Sequence, residues 1–432
     1  MKGRLNLFQA SMLRWRELYP YNAVHVMRIG KPLTAPDLQR AIDDVLTRFG
    51  LTGLNLDATR RRFEYEGGTA HASVHVLPPG PDAEETVRAE IERQLNAPFP
   101  REGPLDPFRF FAIDRGAGFD LGLGYDHFVA AGDSIVVLLM AIANRYGSAG
   151  TPPAAAEAPA KYAPTYGRLF LRQLLPTLVG LRRIPGNLAS FRHAFRPRYP
   201  YGRSAAMGFM HCPIDGARVT ALRRTAKAWG VTINDLLLAL LLHTLSPLTE
   251  ERRREPRRNE LAVASNVNIR GDCGAAARGA FGQFLSSMLV SHPVPPGVGL
   301  EELARDVRGI TTRIKREKLY LQTLLAMGVS GLIWRSLTPE RRARFHGKAY
   351  PVWAGMTPLH VDALWQQAGG GTSAPEYFRA VPTGPLAPLV VAVTTAAGML
   401  DIGISFRTAA FTRGDVDKMV VSIFERIDSL GQ

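Results

Sequence analysis

The stretch FDLGLGYDHFVAAGDS (119–134) decides how the rest of the chain is read. Its first part and FRFFAI (108–113) flank the short segment DRGAG, so the two runs form a β-hairpin closed by a Gly-containing loop. The second strand ends at His127, and a tight turn containing Gly132 follows. A sheet can hold such a histidine rigid while its imidazole faces a cleft. With an ordinary pKa of about 6.5, an imidazole takes a proton from an amine or alcohol and returns it later in a reaction. Residue type alone favours a satisfied core histidine, and the surrounding segments therefore carry the decision.

Toward the N-terminus, NAPFPREGPLDP (96–107) is a Pro-rich loop, AEETVRAEIERQL (83–95) has helical period, and RRFEYEG and HASVHVLP alternate like strands. LTAPDLQRAIDDVLTRFG (33–50) places Leu38, Ile42, Val45 and Leu46 on one helix face behind Thr34 as a cap. Toward the C-terminus, Ile135–Tyr146 reads as an apolar helix, and SAGTPPAAAEAPAKYAP (148–164) as a linker without an apolar period. Segment 165–203 interleaves Arg168, Arg172, Arg182 and Arg183 with Leu and Phe, which suits either a membrane interface or a cover over the groove between two lobes. The second half repeats the first in outline. It has a strand (208–215), two helices (217–230 and 232–245), an Arg-rich loop (251–258), a strand (261–269), a strand pair (386–395 and 399–407) and a closing helix (415–430). This mixed order predicts an α+β architecture with two lobes: 1–150, a linker and Arg-rich segment over 151–203, and 204–432.

With 432 residues, 46% of them hydrophobic, the chain can bury two cores of ordinary size. A net charge of +15 speeds encounters with anionic partners. The runs RRR (60–62), RRREPRR (252–258) and KREK (315–318) lack the interleaved aromatics of a nucleic-acid groove and read as solvated faces, so no nucleic-acid partner is expected. Apolar stretches such as Ile135–Ala143 fall short of the roughly 20 residues that span a bilayer. The N-terminal region also lacks a signal-peptide core, and the expectation is a cytoplasmic protein, in contact with the inner membrane surface at most through 165–203. Cys212 and Cys273 lie outside any Cys/His cluster, and no metal or disulfide is expected. His71 and His75 read as solvated strand residues, whereas His193, His211, His243, His292, His346 and His360 are isolated and suggest no site.

The segment LGLGYDHFVAAGDS resembles the HHxxxDG motif of condensation domains of non-ribosomal peptide synthetases and of related coenzyme A-dependent acyltransferases, the wax ester synthases among them. His127 falls at the second, catalytic histidine and Gly132 at the motif glycine. Asp126 stands at the first histidine, and Ala131 at the aspartate that in the family pairs with an arginine behind the active site; Asp133 and Ser134 follow, with Asp133 a partial substitute. The surroundings resemble the family in order: NAPFPREGPLDPFRFFAI (96–113), VTINDLLLALLLHTL (231–245), LAVASNVNIR with FGQFLSSMLV (261–290), VWAGMTPLHV (352–361) at an "SN.G" turn, and VVAVTTAAGMLDIGISF (390–406).

This resemblance implies two chloramphenicol acetyltransferase-like lobes arranged as a V, with a tunnel that admits an acyl thioester from one face and a nucleophile from the other. His127 would deprotonate an amine or hydroxyl acceptor. The donor would be an acyl-coenzyme A or the phosphopantetheine thioester of an acyl carrier protein, with no further cofactor. Thr395 is the first candidate for the donor that stabilises the oxyanion, and Asn266 the second. The two altered motif positions also permit a different reading, a catalytically silent domain of this fold that serves as a protein-docking platform.

Overall fold

The computed structural model describes residues 1–78, 80, 82–147, 166–173, 193–197, 206–367 and 374–431. The expected linker 148–164, and most of the Arg-rich segment 165–203, lie outside the described residues.

Two large sheets organise the fold. The first runs in the order β13 (Tyr377–Ala380), β2 (Asn22–Ile29), β8 (Phe119–Asp126), β7 (Phe108–Asp114) and β5 (Val74–Leu77). Strands β7 and β8 form the antiparallel hairpin read from the sequence, with Phe108 opposite Tyr125 and Asp114 opposite Phe119. Every residue of β8 is buried. Gly122 permits this, because a Cβ there would lie 1.9 Å from the Phe111 ring, which takes the place of a side chain. Helix Ala35–Phe49 buries Leu38, Ile42, Val45 and Leu46 and ends at Gly50 with φ of 62°. Thr34 makes no side-chain cap bond; a proline in the first turn starts this helix.

The second sheet runs β11 (Leu285–His292), β10 (Leu261–Asn268), β12 (Ala354–His360), β14 (Leu389–Ala396), β15 (Met399–Arg407) and β9 (Met207–Ile214). Strands β10, β12 and β14 are parallel neighbours, and the remaining pairs are antiparallel. The segment compared with a turn, 352–361, is mostly strand β12. Short antiparallel strands β1 (Lys2–Arg4), β4 (Arg62–Tyr65), β3 (Leu54–Asp57) and β6 (Gly103–Leu105) make a third sheet.

One strand crosses between the two halves of the chain. Strand β13 comes from the C-terminal half yet pairs with β2, placing Arg379 opposite His25 and Ala380 opposite Val24. Gly403 of β15 lies so near that a Cβ would sit 1.9 Å from the Arg379 carbonyl oxygen, which brings the two sheets together at that point. Helices Leu7–Leu18, Leu300–Arg316, Tyr320–Arg335 and Pro339–Ala349 go beyond the sequence reading, as does β2. The run RRREPRR is not wholly solvated either. Arg252 is completely buried and donates to the carbonyls of Ser246, Pro293 and Val294, tying the 3-10 turn Pro247–Arg254 to the end of β11. Among the described residues no helix is long and apolar enough to cross a membrane.

Candidate active site

His127 follows the last residue of β8 and is fixed from both halves of the chain. Its backbone N–H donates to the Tyr21 carbonyl at 3.1 Å. The buried amide of Gln283 donates to the His127 carbonyl at 2.6 Å and to the Ala130 carbonyl at 2.7 Å, and lies 3.4 Å from His127 Nδ1. A neutral imidazole has one donor and one acceptor nitrogen. The rings of Tyr21 and Tyr125 flank the imidazole, each with its centroid 5.7 Å away. Burial, reinforced by the Arg379 cation, lowers the His127 pKa to about 3, so the ring is neutral at physiological pH.

Asp126 faces a different environment. Its carboxylate pairs with Arg16 of helix Leu7–Leu18 in the interior, and the Arg16 guanidinium lies over the Phe128 ring at 5.3 Å. Burial lifts the Asp126 pKa to about 6 despite that cation. Asp126 therefore anchors the first helix across the end of β8.

The turn 130–134 shows what the motif departures do. The Ala131 N–H donates to the Gly282 carbonyl at 3.1 Å, and its methyl group is buried. Gly132 lets the turn pack closely: a Cβ would lie 3.3 Å from an Arg379 guanidinium nitrogen and 3.4 Å from the His25 ring. Arg379 is buried and donates to Thr394 Oγ1 at 2.9 Å and to the carbonyls of Thr357 and Val393 at 2.5 and 3.1 Å. Among the described residues it has neutral acceptors and no carboxylate partner. Asp133 does not supply one. It pairs with Arg270 at 2.6 Å and accepts from Asn268 at 3.0 Å, while Arg270 also donates to Ser134 Oγ at 2.6 Å. The expected substitution of Asp133 for the motif aspartate thus becomes a clasp between the turn and the segment after β10.

A cavity of about 460 Å³ opens beside His127, within the size range of small-molecule sites. Phe8, Met12 and Trp15 of the first helix form one wall, and Asn266, Ser287, Gly355 and Thr357 line the six-stranded sheet. Glu260, Ala264 and Asn266 all line it, and an extended chain over that interval covers about 20 Å. His127 and Asn266 both line the cavity. Thr395 is not among its lining residues; it is half-buried near the end of β14, opposite Leu400 and His360, and its neighbour Thr394 holds Arg379. Sequence spacing gives no hint of Tyr21, Arg379 or His25. His25 sits behind the turn, with its ring bound to the hydroxyls of Tyr377 at 2.6 Å and Tyr125 at 3.3 Å. Gln283 lies in the FGQF segment, but nothing in the sequence alone marks its amide as the clamp on His127.

No protein-family model matches the sequence, and no curated protein does. Solved structures do. The first condensation domain of the CDA synthetase superposes with a TM-score of 0.71 at 16% identity, over 100% of this chain and 96% of that one. The cyclization-docking bidomain of the EpoB synthetase from Sorangium cellulosum gives 0.70 at 13% identity, over 100% and 84%. The starter condensation domain of rhizomide synthetase RzmA, solved as a mutant in complex with C8-CoA, gives 0.66 at 14% identity, over 100% and 94%. Taken with the sheets and the His127 turn, these superpositions show that the chain has the two-lobe α+β fold of condensation domains.

Proposed function

We propose that this protein is an acyltransferase that moves an acyl group from a coenzyme A or carrier-protein thioester to an amine or hydroxyl acceptor, with His127 as general base. The observation that supports this reading best is that His127, a buried and neutral imidazole, lines a largely apolar cavity with walls from both halves of the chain. The acceptor's nucleophilic atom gives its proton to the unprotonated ring nitrogen as it attacks the thioester carbonyl. Collapse of the tetrahedral intermediate breaks the C–S bond, and the imidazolium returns the proton to the departing thiolate. The oxyanion formed between these steps needs a fixed donor. Asn266 takes that role in this scheme because it shares the cavity with His127, whose lining does not include Thr395, the first candidate from the sequence.

Arg379 has a part in the chemistry without touching the acyl group. An interior cation with neutral partners disfavours an imidazolium beside it, so Arg379 keeps His127 unprotonated at rest and makes the imidazolium short-lived, ready to pass its proton to the departing thiolate, at the cost of a weaker base. The docking-platform reading has its support in Asp126 and Ala131. A panel of acyl-coenzyme A and acyl-carrier-protein thioesters, each incubated with amine and alcohol acceptors and followed by mass spectrometry, separates the two. Acyl transfer predicts a new amide or ester with at least one pair; a platform yields none.

A further inference from the structure

The wall of the same cavity holds a second histidine. His346, on helix Pro339–Ala349, is 4% exposed, and neither of its ring nitrogens has a hydrogen-bond partner among the protein groups described. Its surroundings are aromatic, with ring centroids of Trp334 at 5.2 Å, Tyr350 at 6.1 Å and Trp15 at 6.2 Å. The indole N–H of Trp15, another lining residue, is also buried and unpartnered. Buried donors and acceptors are costly to leave unpaired, and a phenylalanine at 346 would fill similar space without that cost.

Burial and the nearby Arg14 cation hold the His346 pKa at about 3. A neutral imidazole offers one donor and one acceptor, and the Trp15 indole adds a second donor. Arg14 is the charged neighbour that acts on this ring, so the spot is unfavourable for a substrate ammonium. Rings also connect the two histidines. Trp15 lies 5.3 Å from Tyr21, and Tyr21 lies 5.7 Å from His127, which makes a continuous aromatic wall from His346 to the reacting centre.

We propose that His346 and Trp15 form a polar subsite that binds a neutral donor-acceptor group, such as a hydroxyl or secondary amide, on the otherwise apolar part of the substrate remote from the reacting carbon. The proposal deepens the acyl-transfer reading, because it takes the cavity beside His127 as the substrate chamber. It assigns a role to a histidine that the sequence left without one.

The test measures binding with no acceptor present, so it reads the subsite whether or not transfer occurs. The probes are N-acetylcysteamine thioesters of a series of chain lengths, each ω-hydroxyacyl chain matched with the alkyl chain that carries a methyl in place of the hydroxyl. Calorimetry on the full chain should find at least one length at which the hydroxyl probe binds about tenfold tighter than its isostere. In His346→Phe the ratio should fall to near unity; in His346→Gln, which keeps a donor and an acceptor, preference should persist in part. Equal binding of every matched pair by the wild type would overturn the proposal, as would a preference that survives in a folded His346→Phe. Should His346→Phe not fold, loss or retention of preference in Trp15→Phe decides in the same way.

Discussion

His127 is protected from protonation by two separate causes, its own burial and the Arg379 cation. A base works in its unprotonated form, so activity falls as pH drops through its pKa. With that pKa at about 3, kcat/KM for transfer should show no loss from His127 protonation between about pH 5 and 8. Arg379→Met removes the cation, and the acid limb should move to higher pH; a pH profile of the two proteins checks both statements. Asp126 offers a second test. Arg16→Met would leave its carboxylate buried without a cation, at a cost of about 3 kcal/mol in urea unfolding at neutral pH. The folded-state pKa of Asp126 is raised, so the native state holds that proton more tightly than the unfolded chain does. Arg16 itself lowers that pKa, so Asp126 in Arg16→Met takes up its proton at higher pH than in the wild type, and the penalty should shrink as pH falls toward about 6 and stay level below it. These partnerships are invisible in the sequence, because Arg16 and Arg379 lie far along the chain from the turn they serve.

The elements that carry local patterns were legible. The hairpin β7–β8, helix Ala35–Phe49 and the strand pair β14–β15 all follow from periodicity and turn residues close in sequence. The cavity was not, because its walls come from helices whose inner faces mix polar and apolar side chains. Helix Tyr320–Arg335 shows the difficulty: it buries Leu321, Leu324 and Met327 while Val329, Leu332 and Ile333 are exposed, which blurs the contrast that marks an amphipathic face. The sheet floor carries the small residues Ala264, Ser287 and Gly355, which leave room above them. Ala264→Phe should fill that room. The prediction is a loss of about tenfold or more in affinity for long-chain acyl thioesters, with short chains affected less, as measured by calorimetry.

At the level of the whole molecule, the sheet junction positions the chemistry. Strand β13 pairs with β2 in one sheet and meets β15 of the other at Gly403, so the cation behind the His127 turn is held by both lobes. A methyl group at Gly403 has no room beneath the Arg379 carbonyl. Gly403→Ala should cost about 1–3 kcal/mol in unfolding free energy and lower the transfer rate, since it displaces the strand that carries Arg379. Reading the order of elements along the chain was enough to expect two lobes of mixed α+β type. It was not enough to find the strand exchange, because four residues of β13 have no pattern that names a partner more than three hundred residues away.

Proton transfer by His127 is the central step of the proposed reaction. The most direct measurement follows free thiol release and product formation together in a single turnover, in wild type and in a folded His127→Ala. The two should rise in equal amounts in the wild type, and both should slow by about 100-fold or more in the variant. Product formed at the wild-type rate without His127 would contradict the account.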